Sequence, residues 1–203
     1  RAMMLLAGLP SRLKHQGAKP FFIFPGGTGA DGVSAYRDAG LELKEDLELH
    51  RKKRPVPDLQ VCVYGTGGIA AGLYSAGMAD NSLPAVYAVQ VYPGIWNGKF
   101  YIRNLAKLAR KSGHSLKDDG AFSGQAAPAL GGECRLETPS CYIDAGYGTE
   151  SVRCREAVSL FEKDGIFLDP VYMARAGQAV IDLSRREKKP KGLLLWYTSP
   201  GRL

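Results

Sequence analysis

Eight consecutive residues carry the clearest chemical signal in this sequence: Gly65-Thr66-Gly67-Gly68-Ile69-Ala70-Ala71-Gly72, set directly after the apolar run Leu59–Tyr64. Where a strand turns into a helix, free backbone N–H groups and the positive end of the helix dipole together attract an anion. Glycine suits that place because a Cβ would hold the anion away and forbid positive φ. A triphosphate-binding loop would continue into Lys and Ser/Thr, whereas Leu73 and Tyr74 follow here, which argues against nucleoside triphosphate chemistry. The pattern points to a single phosphate group, held without lysine or magnesium and best explained as that of a cofactor. The competing explanation is a glycine turn kept for packing alone.

A second glycine loop, Gly27-Thr-Gly29-Ala-Asp-Gly32, has the formal G-x-G-x-x-G spacing of a dinucleotide site, with Asp46 or Glu48 as the ribose acid. Those acids fall inside a helical pattern instead of at the end of a second strand. Tight strand-to-helix packing is therefore the preferred account of this loop, and a nicotinamide-dependent oxidoreductase is a poor runner-up.

The elements that must position these loops alternate. Phe21–Phe24 reads as a strand, Val33 to Arg51 as a helix, and Leu59–Tyr64 as a strand. Ile69 to Met78 follows as a helix and Val86–Tyr92 as a β-branched and aromatic strand; residues 100–111 form an amphipathic helix. Residues 115–141 are rich in glycine and alanine and give no clear pattern. Cys141–Ile143 reads as a short strand. Thr149 reads as the N-cap of a helix to about Lys163. Tyr172–Lys188 is helical and Leu193–Tyr197 is the last strand. Such alternation predicts an α/β fold, a mostly parallel sheet with helices on both faces in a three-layer α-β-α arrangement.

With 203 residues, 45% hydrophobic and 23% charged, the chain can bury a sizeable core and does not have the composition of a disordered segment. No apolar run approaches membrane-span length. Two clusters, Arg51–Arg54 and the basic residues between Arg185 and Lys191, supply much of the +7 net charge. Each closes a helical pattern just before a proline, and neither is interleaved with aromatics. They read as solvated helix ends, not as a nucleic-acid surface. The four cysteines (62, 134, 141, 154) and three histidines show no metal-ligand spacing. Cys62 reads as a buried small hydrophobe. A reducing compartment, the cytoplasm, is expected, with partners limited to a small-molecule substrate and neither nucleic acid nor membrane.

Taken in order, several motifs resemble the D-cysteine desulfhydrase and 1-aminocyclopropane-1-carboxylate deaminase family, pyridoxal-phosphate enzymes of the tryptophan-synthase-β fold type. They are Phe22-Ile-Phe-Pro25-Gly-Gly27, Tyr64-Gly-Thr-Gly-Gly-Ile-Ala-Ala-Gly-Leu73, Ala145-Gly-Tyr-Gly148, Asp164-Gly-Ile-Phe-Leu-Asp-Pro-Val-Tyr172 and the terminal strand into Tyr197-Thr198. The resemblance implies pyridoxal 5'-phosphate as cofactor. It implies that Gly65, Thr66, Gly67, Gly68 and Ile69 bind its phosphate and that Thr198 lies near its pyridine nitrogen. Tyr147 and Tyr172 would face cofactor and substrate, stacking or moving protons; without the resemblance they could equally be core tyrosines. It also implies a homodimer and a small amino-acid substrate, foremost β-elimination from D-cysteine to pyruvate and ammonia.

The sequence departs from that family in places. Ile69 replaces a usual Thr. Met173 stands where the deaminases carry Glu and the desulfhydrases usually Thr, which speaks against ring-opening deamination. Ala174-Arg175 replaces a usual Gly-Lys, Thr149-Glu150 lacks the family's Pro, and Thr198-Ser-Pro-Gly201 replaces Thr-Gly-Gly. The family's Schiff-base lysine and Ser-Asn-His motif belong upstream of everything matched. Lys14 and Lys19 lie on the wrong side of the first matched strand to take that place. The expectation is therefore a C-terminal, cofactor-holding part: residues 1–20 as the end of a preceding helix or small domain, 21–203 as the cofactor-binding domain, inactive by itself. The alternative is a non-catalytic remnant that binds a phosphate-bearing small molecule or a partner chain.

Overall fold

The computed structural model describes residues 17, 19, 23–94, 98–109, 134–144 and 146–198. Five helices and four strands are seen among them. A 3-10 turn at Pro25–Gly27 leads into α1 (Ala30–His50). Then come β1 (Leu59–Tyr64), α2 (Gly68–Ala79), β2 (Ala85–Gln90), α3 (Lys99–Ala109), β3 (Leu136–Glu137), α4 (Val152–Glu162), α5 (Met173–Ser184) and β4 (Leu193–Leu195). The sheet order is β3-β2-β1-β4 and each neighbouring pair is parallel.

The two faces of β1 show why the layers form. Cys62 and Tyr64 face one core, with Val33 of α1, Ala70 and Leu73 of α2, and Ile102 of α3. Leu59, Val61 and Val63 face the other, with Ala157 of α4 and Met173, Ala176 and Ile181 of α5. The period-two alternation of a strand thus divides one apolar run between two helical layers, as a parallel sheet buried on both faces requires. The α/β expectation holds. Gln60, the polar residue in that run, is buried but satisfied: its Nε2 donates to Pro84 O at 2.7 Å, and Trp196 Nε1 donates to its Oε1 at 2.9 Å.

Helix α2 is almost wholly buried from Ala70 to Gly77. It lies so close to α1 that a Cβ at Gly72 would sit 2.4 Å from Tyr36 Cβ and 2.6 Å from Val33 O. At the far end of this helix pair Lys44 Nζ meets Asp80 Oδ2 at 2.7 Å. Cys62 is fully buried, and burial pushes its thiol up to about 12. No helix among the described residues is long and apolar enough to cross a membrane.

Several boundaries differ from the sequence reading. Ile23 and Phe24 are not in a strand and are exposed; Phe21 and Phe22 lie outside the described residues, as do 1–16 and most of 115–141. Cys141–Ile143 is a turn, because its backbone groups are taken up locally (Ile143 N donates to Ser140 O at 3.2 Å) and by Arg175 at the Tyr142 carbonyl. The sheet instead takes the two-residue β3, which is too short for any periodicity to reveal. The N-cap of α4 is Ser151, whose Oγ accepts from Cys154 N at 3.1 Å. Thr149 turns its hydroxyl back to Gly146 O at 2.7 Å. The last helix stops at Ser184 and the last strand at Leu195.

Candidate active site

In this sheet β2 lies on one side of β1 and β4 on the other, which puts a topological switch point at the carboxyl end of β1, the usual ligand position in an open α/β sheet. The loop Gly65-Thr66-Gly67 emerges there and opens α2. Gly67, the N-cap, has φ 91° and ψ −4°, a left-handed conformation that glycine adopts without strain. No side chain caps the helix. The first N–H groups of α2 therefore lack an intrahelical acceptor, as at any helix start.

The two glycine loops meet. Thr28 Oγ1 and Thr66 Oγ1 are hydrogen-bonded at 2.5 Å. A Cβ at Gly26 would fall 2.4 Å from Thr66 Oγ1, so the approach needs glycine there. Two hydroxyls share one proton between them and leave the other free to donate. Free N–H groups, a helix dipole and a spare hydroxyl proton, with no carboxylate in that set, fit a phosphate monoester. The side chain of Ile69 packs against the α1–α3 core, which leaves it a backbone N–H to offer. In the first loop, a Cβ at Gly32 would meet Gly27 O at 2.1 Å, so that glycine is explained by packing. Asp46 and Glu48 are exposed and lie within α1, not at the end of a strand's own run.

Tyr147 and Tyr172 come together. Their hydroxyls are hydrogen-bonded and their rings meet edge to face, with centroids 5.9 Å apart. The Tyr92 ring adds a second edge contact to Tyr147 at 5.4 Å. A Cβ at Gly65 would lie 3.9 Å from Tyr172 Cε1, so this group stands beside the phosphate-type loop. Tyr147 is 49% and Tyr172 37% exposed, which makes them open to a ligand and unlike core tyrosines. The Tyr172 hydroxyl is pushed up to about 12, first by its hydrogen bond with Tyr147 and then by burial. It holds its proton at neutral pH. Thr198 follows β4, and its Oγ1 donates to Met173 Sδ at 3.6 Å. Met173 is fully buried and follows Tyr172 in the chain, so Thr198 is tied to the residue next to Tyr172.

Four contributors escaped the sequence reading. Thr28 was hidden inside a dinucleotide-like spacing and Tyr92 inside a strand pattern. Asp169 accepts from Val171 N, Tyr172 N and Met173 N at 3.1, 2.7 and 3.0 Å; an Asp four residues ahead of the helix start at Met173, followed by Pro, is the signal for such a turn. Arg175 is fully buried, and its signal is a lone cation amid the small and apolar residues of Met173–Val180. Among the described residues no group of three His, Cys, Asp or Glu is placed to hold a metal.

No protein-family model matches the chain. A candidate 1-aminocyclopropane-1-carboxylate deaminase of Thermotoga maritima is 30% identical over 182 residues, 87% of this chain and 51% of that protein. A D-cysteine desulfhydrase of Klebsiella pneumoniae is 27% identical over 212 residues, 95% of this chain and 54% of that protein. A crystal structure of a homologue of 1-aminocyclopropane-1-carboxylate deaminase superposes with a TM-score of 0.66 at 24% identity, covering 95% of this chain and 53% of its own, which bears on the fold. The chain is a homologue of these deaminases and desulfhydrases. It spans about half the length of the curated relatives it matches. The relatives' family is one of pyridoxal-phosphate enzymes, and the likeness noted from the motifs extends over most of the chain.

Proposed function

We propose that this chain supplies the phosphate-binding and tyrosine-bearing part of a pyridoxal-phosphate-dependent lyase acting on a small amino acid, with residues 21–203 as its cofactor-binding domain. The observation that supports it most is the placement of Tyr147 and Tyr172, hydroxyl to hydroxyl, beside Gly65 at the carboxyl end of β1. The backbone N–H groups of Gly65–Ile69 and the paired hydroxyls of Thr66 and Thr28 would hold the cofactor's phosphate, and the Thr198 hydroxyl would face its pyridine nitrogen. When bound, pyridoxal phosphate supplies an electron sink for the pair left as the α-carbon loses its proton. The tyrosine pair would hold and pass one proton: Tyr172 stays protonated at neutral pH and can donate, while Tyr147 accepts or relays.

D-Cysteine is the first substrate to test. β-Elimination with uptake of one water gives pyruvate, ammonia and hydrogen sulfide. Met173 leaves no carboxylate at the position the deaminases fill with Glu, which favours elimination over ring opening. The test is pyruvate release from D-cysteine and D-serine by the natural gene product supplied with pyridoxal phosphate. The expected result is release with D-cysteine, reduced by about 10-fold or more in Tyr172→Phe, the usual worth of a proton-transfer group being about 100-fold or more. Cofactor binding without pyruvate from any small amino acid would favour the second reading, a non-catalytic binder, for which the core-facing Ile69 and buried Met173 speak. Absence of both binding and turnover sinks the first.

A further inference from the structure

We propose that Arg175 is the positioning residue of the tyrosine pair, its one guanidinium tying the Tyr147 loop to the start of α5 so that the two hydroxyls meet beside Gly65. This rests on the reading of Tyr147 and Tyr172 as site groups. A fully buried cation is costly unless paired and hydrogen-bonded. Here its partners are chosen in a telling way. Nε donates to Val171 O at 3.1 Å, the carbonyl just before Tyr172. Nη2 donates to Gly146 O at 2.9 Å, just before Tyr147, and to Thr149 O at 2.8 Å, just beyond it. Nη1 donates to Tyr142 O and lies 3.7 Å from Asp144 Oδ2.

Four of the five N–H groups of the guanidinium thus go to carbonyls: Gly146 and Thr149 on either side of Tyr147, Val171 directly before Tyr172, and Tyr142 at the start of the Tyr147 loop. The other bonds of the loop (Gly146 N to Ile143 O, Thr149 N and Oγ1 to Gly146 O) close on the loop itself, whereas Arg175 ties it to α5. Asp169 fixes the other partner, taking the backbone N–H of Tyr172. Lysine has three donors on one point and no planar fork, so it cannot reach all four carbonyls at once. The arginine is therefore matched to this loop.

The test is a spectrophotometric titration of tyrosinate in the cofactor-free protein, with Tyr172 isolated as the difference between each chain and its Tyr172→Phe counterpart. The groups facing Tyr172 are Tyr147 and Asp169, and neither is altered by changes at 175. In the unaltered protein the bond with Tyr147 and burial push the Tyr172 hydroxyl up to about 12, so its titration should lie well above that of an ordinary tyrosine. In Arg175→Met it should fall toward the ordinary value of about 10, up to ~100-fold in proton affinity. Tyr147→Phe, the control, should do the same. Arg175→Lys should recover part of the shift. A folded Arg175→Met in which Tyr172 titrates as before overturns the proposal, even if that variant is less stable. If Arg175→Met does not fold, Arg175→Lys decides: an unchanged titration overturns it, and a partial fall supports it. Because no cofactor is present, failure of pyridoxal phosphate to bind would count against the proposed function alone.

Discussion

The glycine loop and the tyrosine cluster lie side by side at one end of the sheet, yet they are held by different physics. The loop is fixed by backbone and apolar packing: β1 is buried on both faces, α2 on nearly all of its surface, and Gly67 takes a left-handed turn. The tyrosines are fixed by charge. A buried guanidinium grips one segment and the Asp169 carboxylate takes three N–H groups of the other. A cradle of backbone N–H groups needs only that the backbone be rigid. Two side chains from segments 25 residues apart must be aimed at each other, and polar ties have the direction that apolar packing lacks.

The largest expected effect comes from breaking the apolar side of this contrast. Gly67→Val forces a β-branched residue to φ 91°, with its Cβ 3.2 Å from Tyr101, 3.2 Å from Tyr64 and 3.3 Å from Leu105. Backbone strain and overpacking each cost about 1–3 kcal/mol, so urea unfolding should show a loss of about 2–4 kcal/mol. Affinity for pyridoxal phosphate should fall with it. Because Arg175 and Asp169 are untouched, the Tyr172 titration should stay high in the folded fraction. A shift there would mean that the two regions are not held separately.

The polar side breaks more gently. Asp169→Ala removes the acceptor of three backbone N–H groups at the start of α5. Loss of a side-chain acceptor at a helix start costs about 0.5–2 kcal/mol, and thermal unfolding should report a fall in that range. The crossed outcome sharpens the comparison: Tyr172 should titrate lower, whereas phosphate-loop binding should be little changed. Equal losses in both readouts would show one cooperative site in place of two.

The same contrast explains what the sequence could reveal. β1 was legible to the residue because a run buried on both faces must be apolar at nearly every position, Gln60 being the one exception, and its glycine loop because few residues tolerate that turn. The tyrosine region was legible as a motif but not as a mechanism. Tyr147 and Tyr172 could be named, whereas the carbonyls that Arg175 binds are contributed by backbone and leave no trace in residue type. Thr149 looked like a cap because capping needs only a hydroxyl before a helix, and Ser151, two residues on, satisfies the same rule. β3 is positioned by its pairing with Val86 and Tyr87, a long-range fact that two residues cannot encode.

The smallest effect tests whether any charge stabilises the apolar side. Lys44 and Asp80 join α1 and α2 at the end away from the loop, partly exposed, and Ser82 N adds a bond to Asp80 Oδ1 at 2.8 Å. The hydrogen bond from Lys44, followed by those from Ser82, lowers the Asp80 carboxyl from 3.8 to about 2. A lowered folded-state value means a contribution that is complete above the unfolded value and is lost as pH falls through the folded one. Asp80→Asn should therefore cost under about 1 kcal/mol at neutral pH, as exposed pairs do. Its difference from the unaltered chain in urea midpoint should shrink between about pH 4 and pH 2. A difference that persists at pH 2 would mean that Asp80 acts through the neutral bonds to Ser82 and not through its charge, leaving the glycine-loop region without an electrostatic tie at this end of its helix pair.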